Sequence, residues 1–220
     1  MVVMEGKCNT ASIKENLYDE QRDVRVKFIK YISFLLNNIY NTEQNIAECG
    51  VFRGDLSYYL NKYFKGCNLF LFDTFEGFDV QDLVEERAFE NDVFNNGFFN
   101  DSTFFADTNV SRVLSRLPYK ENVIIKKGKF PDTTEGIVDI NFSLVILDFD
   151  LFRPTYEGLC FFVPRMTKCG IILLHDYYND LLPGVKRAVD QYEKLNPNKL
   201  FLQFSIGDGS SLAIIINTEC

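Results

Sequence analysis

With 220 residues the chain has the length of one α/β domain, and no linker or repeat divides it, which predicts a single domain over residues 1–220. The formal net charge of −8 disfavours a nucleic-acid partner, because binding to a phosphate backbone needs clustered Lys and Arg. No apolar run approaches the roughly 20 residues of a membrane helix, and residues 1–16 lack a signal-peptide-like stretch, so we expect a cytoplasmic protein without membrane contact.

The first predicted element is a long amphipathic helix over about residues 18–40, where apolar residues recur at helical spacing. The next three elements are a strand over 45–50, a helix over 55–64 and a second strand over 68–75. Together they predict one βαβ unit.

The stretch 79–107 interrupts this alternation with acidic residues, Asn and many Phe. A polar segment rich in aromatic residues seldom stays fully solvated, so we interpret it as a lid-like insertion that covers a site or forms a substrate wall. A contact between the subunits of a dimer is the alternative.

The remaining segments complete an alternating pattern that ends in a hairpin. The two β-runs over 200–206 and 210–217 are separated by only three residues, so they must pair antiparallel. We expect an α/β fold with a doubly wound seven-stranded sheet, Rossmann-like and of the class I methyltransferase type, with an N-terminal helix and a C-terminal antiparallel hairpin. The intervening predictions are helices over 109–117, 154–166 and 184–195, and strands over 122–127, 142–148 and 170–174.

Two predicted strands end in acidic or metal-binding side chains. Asp148 and Asp150 follow one strand, and His175 and Asp176 follow the next. Because the carboxyl ends of neighbouring parallel strands share one edge of a sheet, these four side chains should converge. Carboxylate oxygens with an imidazole invite a divalent cation.

The first two strands also end in acids, Glu48 and Asp73. Gly50 and Gly54 follow Glu48 and let the backbone approach a ligand, while an acid there suits a hydroxyl or ammonium group better than a phosphate. Asp73 lies about 25 residues later, where a ribose diol is usually bound. Two such acids without a G-x-G-x-x-G phosphate cradle indicate S-adenosylmethionine, although Asp73 could instead cap a turn ahead of Thr74.

Several motifs then resemble, in order and spacing, the macrocin O-methyltransferase (TylF-type) family over about residues 20–195. The most specific is F-D-T-F-E-G at 72–77, followed by L-D-F-D at 147–150. The other matching segments are E-C-G-V-F-R-G at 48–54, G-K-F-P-D-T at 128–133, H-D-Y at 175–177 and P-G-V-K-R-A-V-D at 183–190.

The resemblance implies a metal-dependent O-methyltransferase that uses S-adenosylmethionine and acts on a hydroxyl of a small-molecule acceptor, often a sugar of a natural product or glycan. It maps the metal ligands onto Asp148, His175 and Asp176. The family usually carries two adjacent aspartates at the last pair, so His175 shifts the expected preference from Mg²⁺ toward Mn²⁺. The residues expected at the cofactor are Glu48, Gly50, Val51, Phe52, Gly54, Asp73, Thr74, Phe75, Gly128, Lys129, Phe130 and Asp148.

Methyl transfer to an alcohol requires removal of a proton, and we assign that catalytic role to Asp150 or His175. Asp150 could instead cap the helix that follows, and His175 could be a hydrogen-bonded core residue. Other functions that we consider are a metal-dependent hydrolase or sugar-nucleotide enzyme, which would need a phosphate cradle, and a non-catalytic adenosylmethionine-binding module. The long first helix and the aromatic residues favour a homodimer.

Overall fold

The fold is known from a computed structural model of the chain, whose described residues contain six α-helices and seven strands. The described residues are 18–40, 44–89, 102–197 and 199–216. The helices are α1 (Val24–Tyr40), α2 (Asp55–Tyr63), α3 (Val80–Phe89), α4 (Val110–Arg116), α5 (Phe152–Phe162) and α6 (Pro183–Leu195). The strands are β1 (Asn45–Cys49), β2 (Asn68–Asp73), β3 (Val123–Lys127), β4 (Phe142–Leu147), β5 (Met166–Leu174), β6 (Leu200–Ser205) and β7 (Leu212–Ile216).

The seven strands form one sheet in the order β3-β2-β1-β4-β5-β7-β6. The first five strands run parallel, whereas β7 is antiparallel to both β5 and β6. The predicted doubly wound sheet and C-terminal hairpin are therefore confirmed. Strands β2 and β3 lie on one side of β1, and the chain then crosses to β4 on the other side of β1. Ligands of open α/β sheets bind beyond the carboxyl ends of the strands at such a topological switch point.

Helices cover both faces of the sheet, and each face has its own apolar core. Ile29 of α1, Leu60 of α2 and Val113 of α4 are fully buried in the core on one face. The other core contains Leu159 of α5 and Val189 of α6. Strand β4 is buried along its whole length, as expected for an apolar strand at the centre of a parallel sheet.

Several element boundaries differ from the predicted ones for local reasons. Helix α1 begins at Val24 rather than near residue 18, and the Asp23 side chain accepts a hydrogen bond from the Val26 N–H at 3.1 Å. Helix α5 ends at Phe162 instead of 166 because Pro164 cannot donate the next helical hydrogen bond. A 3₁₀ turn follows, and β5 starts at Met166, four residues before its predicted start.

The predicted lid-like insertion begins as a helix, α3. The Asp79 carboxylate caps this helix by accepting hydrogen bonds from the N–H groups of Gln81 at 3.0 Å and Asp82 at 3.2 Å. The sequence pattern was too weakly amphipathic to indicate this helix. Residues 90–101 of the insertion lie outside the described residues. None of the described helices is long and apolar enough to span a lipid bilayer.

Candidate active site

A cavity of about 270 Å³ lies at the carboxyl edge of β1, β2, β4 and β5. All but two of the residues predicted for the cofactor, the metal ion or catalysis line it. The exceptions are Gly54, which precedes α2 and packs against Val113, and Phe75, which is 3% exposed in the core. The residues that do line it are Glu48, Gly50, Val51, Phe52, Asp73, Thr74, Gly128, Lys129, Phe130, Asp148, Asp150, His175 and Asp176.

The loop between β1 and α2 passes through a tight gap next to β4. Gly50 has a φ of +83°, and a Cβ atom there would lie 1.9 Å from the carbonyl oxygen of Asp148. The Gly50 N–H donates to the carbonyl of Phe72, and the Asp148 N–H donates to the carbonyl of Cys49, each at 2.9 Å. A glycine is therefore required here, and it holds the end of β1 against the strands that carry Asp73 and Asp148.

Glu48 is a buried acid that faces this cavity. The residue is 2% exposed, and its carboxylate accepts a hydrogen bond from the Ser57 hydroxyl. Burial raises the pKa of Glu48 well above its usual range, and Asp148 and Asp73 add to this rise while Ser57 and Arg25 oppose it. A bound cationic group, such as an ammonium, would stabilise the ionised form of a carboxyl group in this position.

Asp73 holds the β1–α2 loop through its side chain. One carboxylate oxygen accepts hydrogen bonds from the N–H groups of Val51 at 2.6 Å and Phe52 at 2.8 Å. The other accepts the Phe75 N–H at 2.6 Å, so the turn-capping role considered as an alternative is present. A carboxylate has about four acceptor positions, which leaves room for a ribose hydroxyl beside these three bonds.

Asp148, His175 and Asp176 form a compact group of candidate metal ligands, with their donor atoms all within 4.8 Å of one another. Nδ1 of His175 lies 2.9 Å from a carboxylate oxygen of Asp148 and 2.7 Å from one of Asp176. Asp176 is itself held by Asn179 at 3.0 Å and by the Ser210 hydroxyl at 2.9 Å. Two carboxylates and an imidazole, with one carboxylate held by residues outside the group, fit a divalent cation.

The protonation of these groups is strongly coupled to their neighbours. Burial lowers the pKa of His175, but the carboxylates of Asp148 and Asp176 outweigh burial and raise it to about 10. Burial raises the pKa of Asp176, yet its contacts with His175 bring it below the usual range. The imidazolium proton thus occupies the place of a cation between two acids, and a metal ion binding there would displace it.

Asp150 lines the same cavity, and it does not cap the helix that follows. Helix α5 begins at Phe152 after Leu151, without a side-chain cap. Asp150 has a φ of +64°, an unfavourable backbone conformation for a residue other than glycine, which often marks a functional position. Burial, followed by the charges of Asp148 and Asp176, raises its pKa well above the usual range.

The cavity also contains residues that sequence reasoning did not identify. Tyr18 and Arg25 reach it from the region of α1, Phe78 from the residue just before the predicted insertion, and Phe105 from near the end of that insertion. No motif marks Arg25, because a single Arg in an amphipathic helix gives no functional signal. The aromatic residues were predicted only as a group, as a substrate wall.

The ammonium group of Lys129 is bound by two acids of the insertion. It lies 2.5 Å from an oxygen of Asp79 and 3.1 Å from one of Asp82. Both aspartates also line the cavity. Lys129, predicted at the adenine, therefore connects the turn after β3 to the first turn of α3.

Several solved structures are similar to the chain over most of its length. The O-methyltransferase NovP has a TM-score of 0.70 at 20% identity, covering 88% of this chain and 80% of that chain. CalS11, described as a calicheamicin methyltransferase and as a TDP-rhamnose 3′-O-methyltransferase, has a TM-score of 0.64 at 18% identity over the same shares. TomG from Streptomyces achromogenes, involved in tomaymycin synthesis and solved with S-adenosylmethionine, has a TM-score of 0.53 at 14% identity, again over 88% and 80%.

These likenesses establish the fold, which is that of O-methyltransferases. The comparison with curated proteins gives no significant match. The family model described as Macrocin-O-methyltransferase (TylF) matches residues 32–200, which is more than half of the chain and contains β1 to β5 with all the candidate metal ligands. The chain therefore belongs to the macrocin-O-methyltransferase family, and it is a class I, S-adenosylmethionine-dependent O-methyltransferase.

Proposed function

We propose that this single-domain enzyme transfers the methyl group of S-adenosylmethionine to a hydroxyl of a sugar-containing small molecule, with the help of a divalent cation. The observation that carries the proposal is the grouping of Asp148, His175 and Asp176 donor atoms within 4.8 Å of one another, in the cavity that Glu48 and Asp73 also line. Donor binding and hydroxyl activation would then take place in adjoining parts of one site.

The donor would bind along the ends of β1, β2 and β3. Glu48 would receive the ammonium group of the methionine part, and the free acceptor positions of Asp73 would receive the ribose. Val51 and Phe52, whose N–H groups are fixed by Asp73, would border the ligand. Gly128 and Phe130 would border the adenine, and Phe130 is 5% exposed and packs edge-on to Phe72.

The acceptor would bind next to the three metal ligands. A divalent cation held by Asp148, His175 and Asp176 would supply Lewis-acid stabilisation of the developing alkoxide. Asp150 would take the hydroxyl proton, the acceptor oxygen would bond to the methyl carbon, and the carbon–sulfur bond would break with its electron pair remaining on sulfur. The products are a methyl ether and S-adenosylhomocysteine.

A sugar acceptor is supported by the aromatic wall of the cavity. The ring of Phe105 contacts the ring of Phe52 at 5.0 Å and that of Phe78 at 5.5 Å between centroids. Flat apolar surfaces suit the C–H faces of a sugar ring, while the acidic cluster accepts its hydroxyl groups. Family membership favours methyl transfer over the hydrolase, sugar-nucleotide and non-catalytic alternatives.

A homodimer would use the outer face of α1. Four apolar side chains at helical spacing are exposed on it, namely Tyr31, Phe34, Leu35 and Ile39. Phe34, the most exposed of them, is 65% exposed. Light scattering of the wild type and of Phe34→Glu tests this, because a dimer built on this face should dissociate in the variant.

The experiment that tests the proposed function is transfer of radiolabelled methyl from S-adenosylmethionine to a panel of free and nucleotide-linked sugars. We expect turnover that stops with EDTA and returns with Mn²⁺ or Mg²⁺. Asp148→Asn should lose turnover while still binding S-adenosylhomocysteine, and Asp132→Asn, an exposed acid outside the cavity, should behave as wild type. Turnover that resists EDTA would contradict the metal role, and intact donor binding without transfer to any sugar would contradict the acceptor class.

A further inference from the structure

Arg25, in the first turn of α1, places its guanidinium in the wall of the cavity. Its side chain is 13% exposed. One terminal nitrogen lies 3.9 Å from a carboxylate oxygen of Asp148, and the guanidinium carbon lies 4.7 Å from the centre of the Tyr18 ring. Arg25 is therefore a nearly buried cation at the binding site.

The contacts of Arg25 use only part of its hydrogen-bonding capacity, with a side-chain hydrogen bond to Tyr18. The separation of 3.9 Å from Asp148 is too long for a hydrogen bond, so Tyr18 is its one close partner in the described part of the chain. A guanidinium has five N–H donors, and donors that are taken out of water need acceptors. Most of the donors of Arg25 are therefore available to a ligand in the cavity.

The other cations in the cavity wall are already occupied. The ammonium of Lys129 is bound by Asp79 and Asp82 at 2.5 and 3.1 Å. Nδ1 of His175 lies between two carboxylates. Among the described residues that line the cavity, Arg25 is therefore the cation best placed to bind an anionic group.

The position of Arg25 selects which anion it binds. Arg25 and Glu48 both line the cavity, and the charge of Arg25 opposes the rise in the pKa of that acid. The nearby Asp55 is already paired with Arg116. An acid and a guanidinium in the wall of one cavity match a zwitterion, and the methionine end of S-adenosylmethionine carries an ammonium beside a carboxylate.

We propose that Arg25 binds the α-carboxylate of the methionine part of S-adenosylmethionine and S-adenosylhomocysteine, while Glu48 binds the neighbouring ammonium. The planar guanidinium can form two parallel hydrogen bonds to one carboxylate. This assignment rests on the proposed function, because it requires the donor to occupy this cavity. It makes α1 part of the donor site rather than only a cover for one face of the sheet.

The test is calorimetric titration in the presence of EDTA with two ligands that differ only in the carboxylate. One is S-adenosylhomocysteine, and the other is S-adenosyl-3-thiopropylamine, which keeps the ammonium and lacks the carboxylate. The variants are Arg25→Met, which keeps much of the length without the charge, and Arg25→Lys. Arg22→Met is the matched control, because Arg22 is 89% exposed, lies three residues earlier and outside the cavity, and carries the same charge.

We expect Arg25→Met to weaken binding of S-adenosylhomocysteine roughly 10- to 100-fold, as for loss of a charged hydrogen-bonded pair. Its binding of the amine analogue should stay within about twofold of wild type, because that ligand has no carboxylate to lose. Arg25→Lys should give a smaller loss for S-adenosylhomocysteine alone, and it replaces Arg25→Met if the latter does not fold. Arg22→Met should bind both ligands as wild type does.

Three outcomes would overturn the assignment. Equal weakening of both ligands would show that Arg25 acts through Asp148 or the packing of α1. Unchanged binding of S-adenosylhomocysteine with a raised KM for the acceptor would show that Arg25 serves an anionic acceptor instead. Failure of the wild-type protein to bind S-adenosylhomocysteine would overturn the proposed function together with this assignment. This outcome can be told apart from the first two, because in both of those the wild-type protein binds the ligand.

Discussion

The carboxylate of Asp73 accepts a hydrogen bond from the backbone N–H of Val51 at 2.6 Å, and so joins the end of β2 to the loop that follows β1. The same oxygen accepts the N–H of Phe52 at 2.8 Å. The loop that would contact the donor is therefore shaped by a residue that was itself predicted to contact the donor. Loss of this acid should affect both the loop and the ligand.

Asp73→Asn should weaken binding of S-adenosylhomocysteine about 10- to 100-fold and lower the free energy of unfolding by about 1–3 kcal/mol, because buried N–H donors lose a charged acceptor. Calorimetric titration and urea unfolding measure the two effects. Glu76→Gln is the control, since Glu76 is 72% exposed and makes only a surface ion pair with Lys127. Wild-type affinity in Asp73→Asn would contradict this arrangement.

Much of the fold follows from patterns within the sequence. The alternation of apolar runs with amphipathic segments predicted the seven strands and the hairpin. This works because the apolar residues that a strand or helix buries recur at a characteristic spacing within that element. The convergence of Asp148 with His175 and Asp176 followed from the rule that ligands bind where parallel strands end. These predictions depend on residues near one another in sequence or on a general property of parallel sheets.

The remaining features depend on contacts that no local pattern encodes. The spacing of the motif predicted a ribose-binding acid at Asp73, but it did not reveal that Asp73 accepts hydrogen bonds from the N–H groups of Val51 and Phe52, 22 and 21 residues earlier. Arg25 reaches the cavity only because α1 packs against α2 on one face of the sheet. Gly54 and Phe75 belong to matching motifs, yet the first packs on Val113 and the second turns into the core.

Gly50→Ala should lower the free energy of unfolding far more than alanine substitution of another glycine with a similar φ. The new methyl group would lie 1.9 Å from the Asp148 carbonyl oxygen, so β1 and β4 would have to separate. Gly136→Ala is the matched control, because Gly136 has a φ of +78° with nothing within 4 Å of the added atom. We expect the control to lose about 1 kcal/mol from backbone strain alone.

Urea unfolding should show a loss of more than about 3 kcal/mol, or no folded protein, for Gly50→Ala. Equal losses in the two alanine variants would mean that backbone conformation, and not the contact with Asp148, determines the need for glycine at position 50.

His175→Asp should shift the metal preference of the enzyme. An imidazole favours later divalent ions, whereas a third carboxylate favours hard Mg²⁺. We expect the ratio of kcat/KM with Mg²⁺ to that with Mn²⁺ to rise roughly tenfold in the variant. His175→Ala should lower activity with both ions, and a ratio that is the same in wild type and His175→Asp would contradict metal ligation by His175.

Glu20 should make the stability of the protein depend on pH in the acid range. Hydrogen bonds from Lys62 at 2.6 Å and from Tyr63, with a further one from Lys30, lower the pKa of Glu20 from 4.5 to about 2. Because the folded pKa is the lower one, this stabilisation is present above about pH 4.5 and is lost as the pH falls through about 2. Glu20 is partly solvated, so we expect its contribution to the free energy of unfolding to be less than about 1 kcal/mol.

The comparison that isolates this effect is urea unfolding of wild type and Glu20→Gln at a series of pH values. The difference between the two proteins should be constant above about pH 5 and should shrink as the pH is lowered toward 2. A difference that does not change over this range would show that the contacts with Lys62 and Tyr63 do not act on the ionised form.

Glu86 should couple α3 to both loops that carry the candidate metal ligands. It is 1% exposed, and its carboxylate accepts the Phe152 N–H at 2.6 Å in the first turn of α5. The other oxygen lies 2.0 Å from the position of a Cβ atom added to Gly184, in the first turn of α6. The N-terminal turns of both helices favour a negative charge there, and these helices follow the loops of Asp148 and His175.

Glu86→Gln keeps an acceptor and loses the charge, so we expect a loss of about 1–2 kcal/mol in stability and a fall in kcat that exceeds any change in donor affinity. Unfolding curves, steady-state kinetics and titration with S-adenosylhomocysteine separate these effects. The control is Glu85→Gln on the same helix, where a half-buried acid pairs with Arg153 and the expected loss is below about 1 kcal/mol. Glu86 contacts the first turns of α5 and α6, which follow the loops of the candidate metal ligands. Equal kcat values in the two variants would therefore show that the charge of Glu86 does not position these ligands.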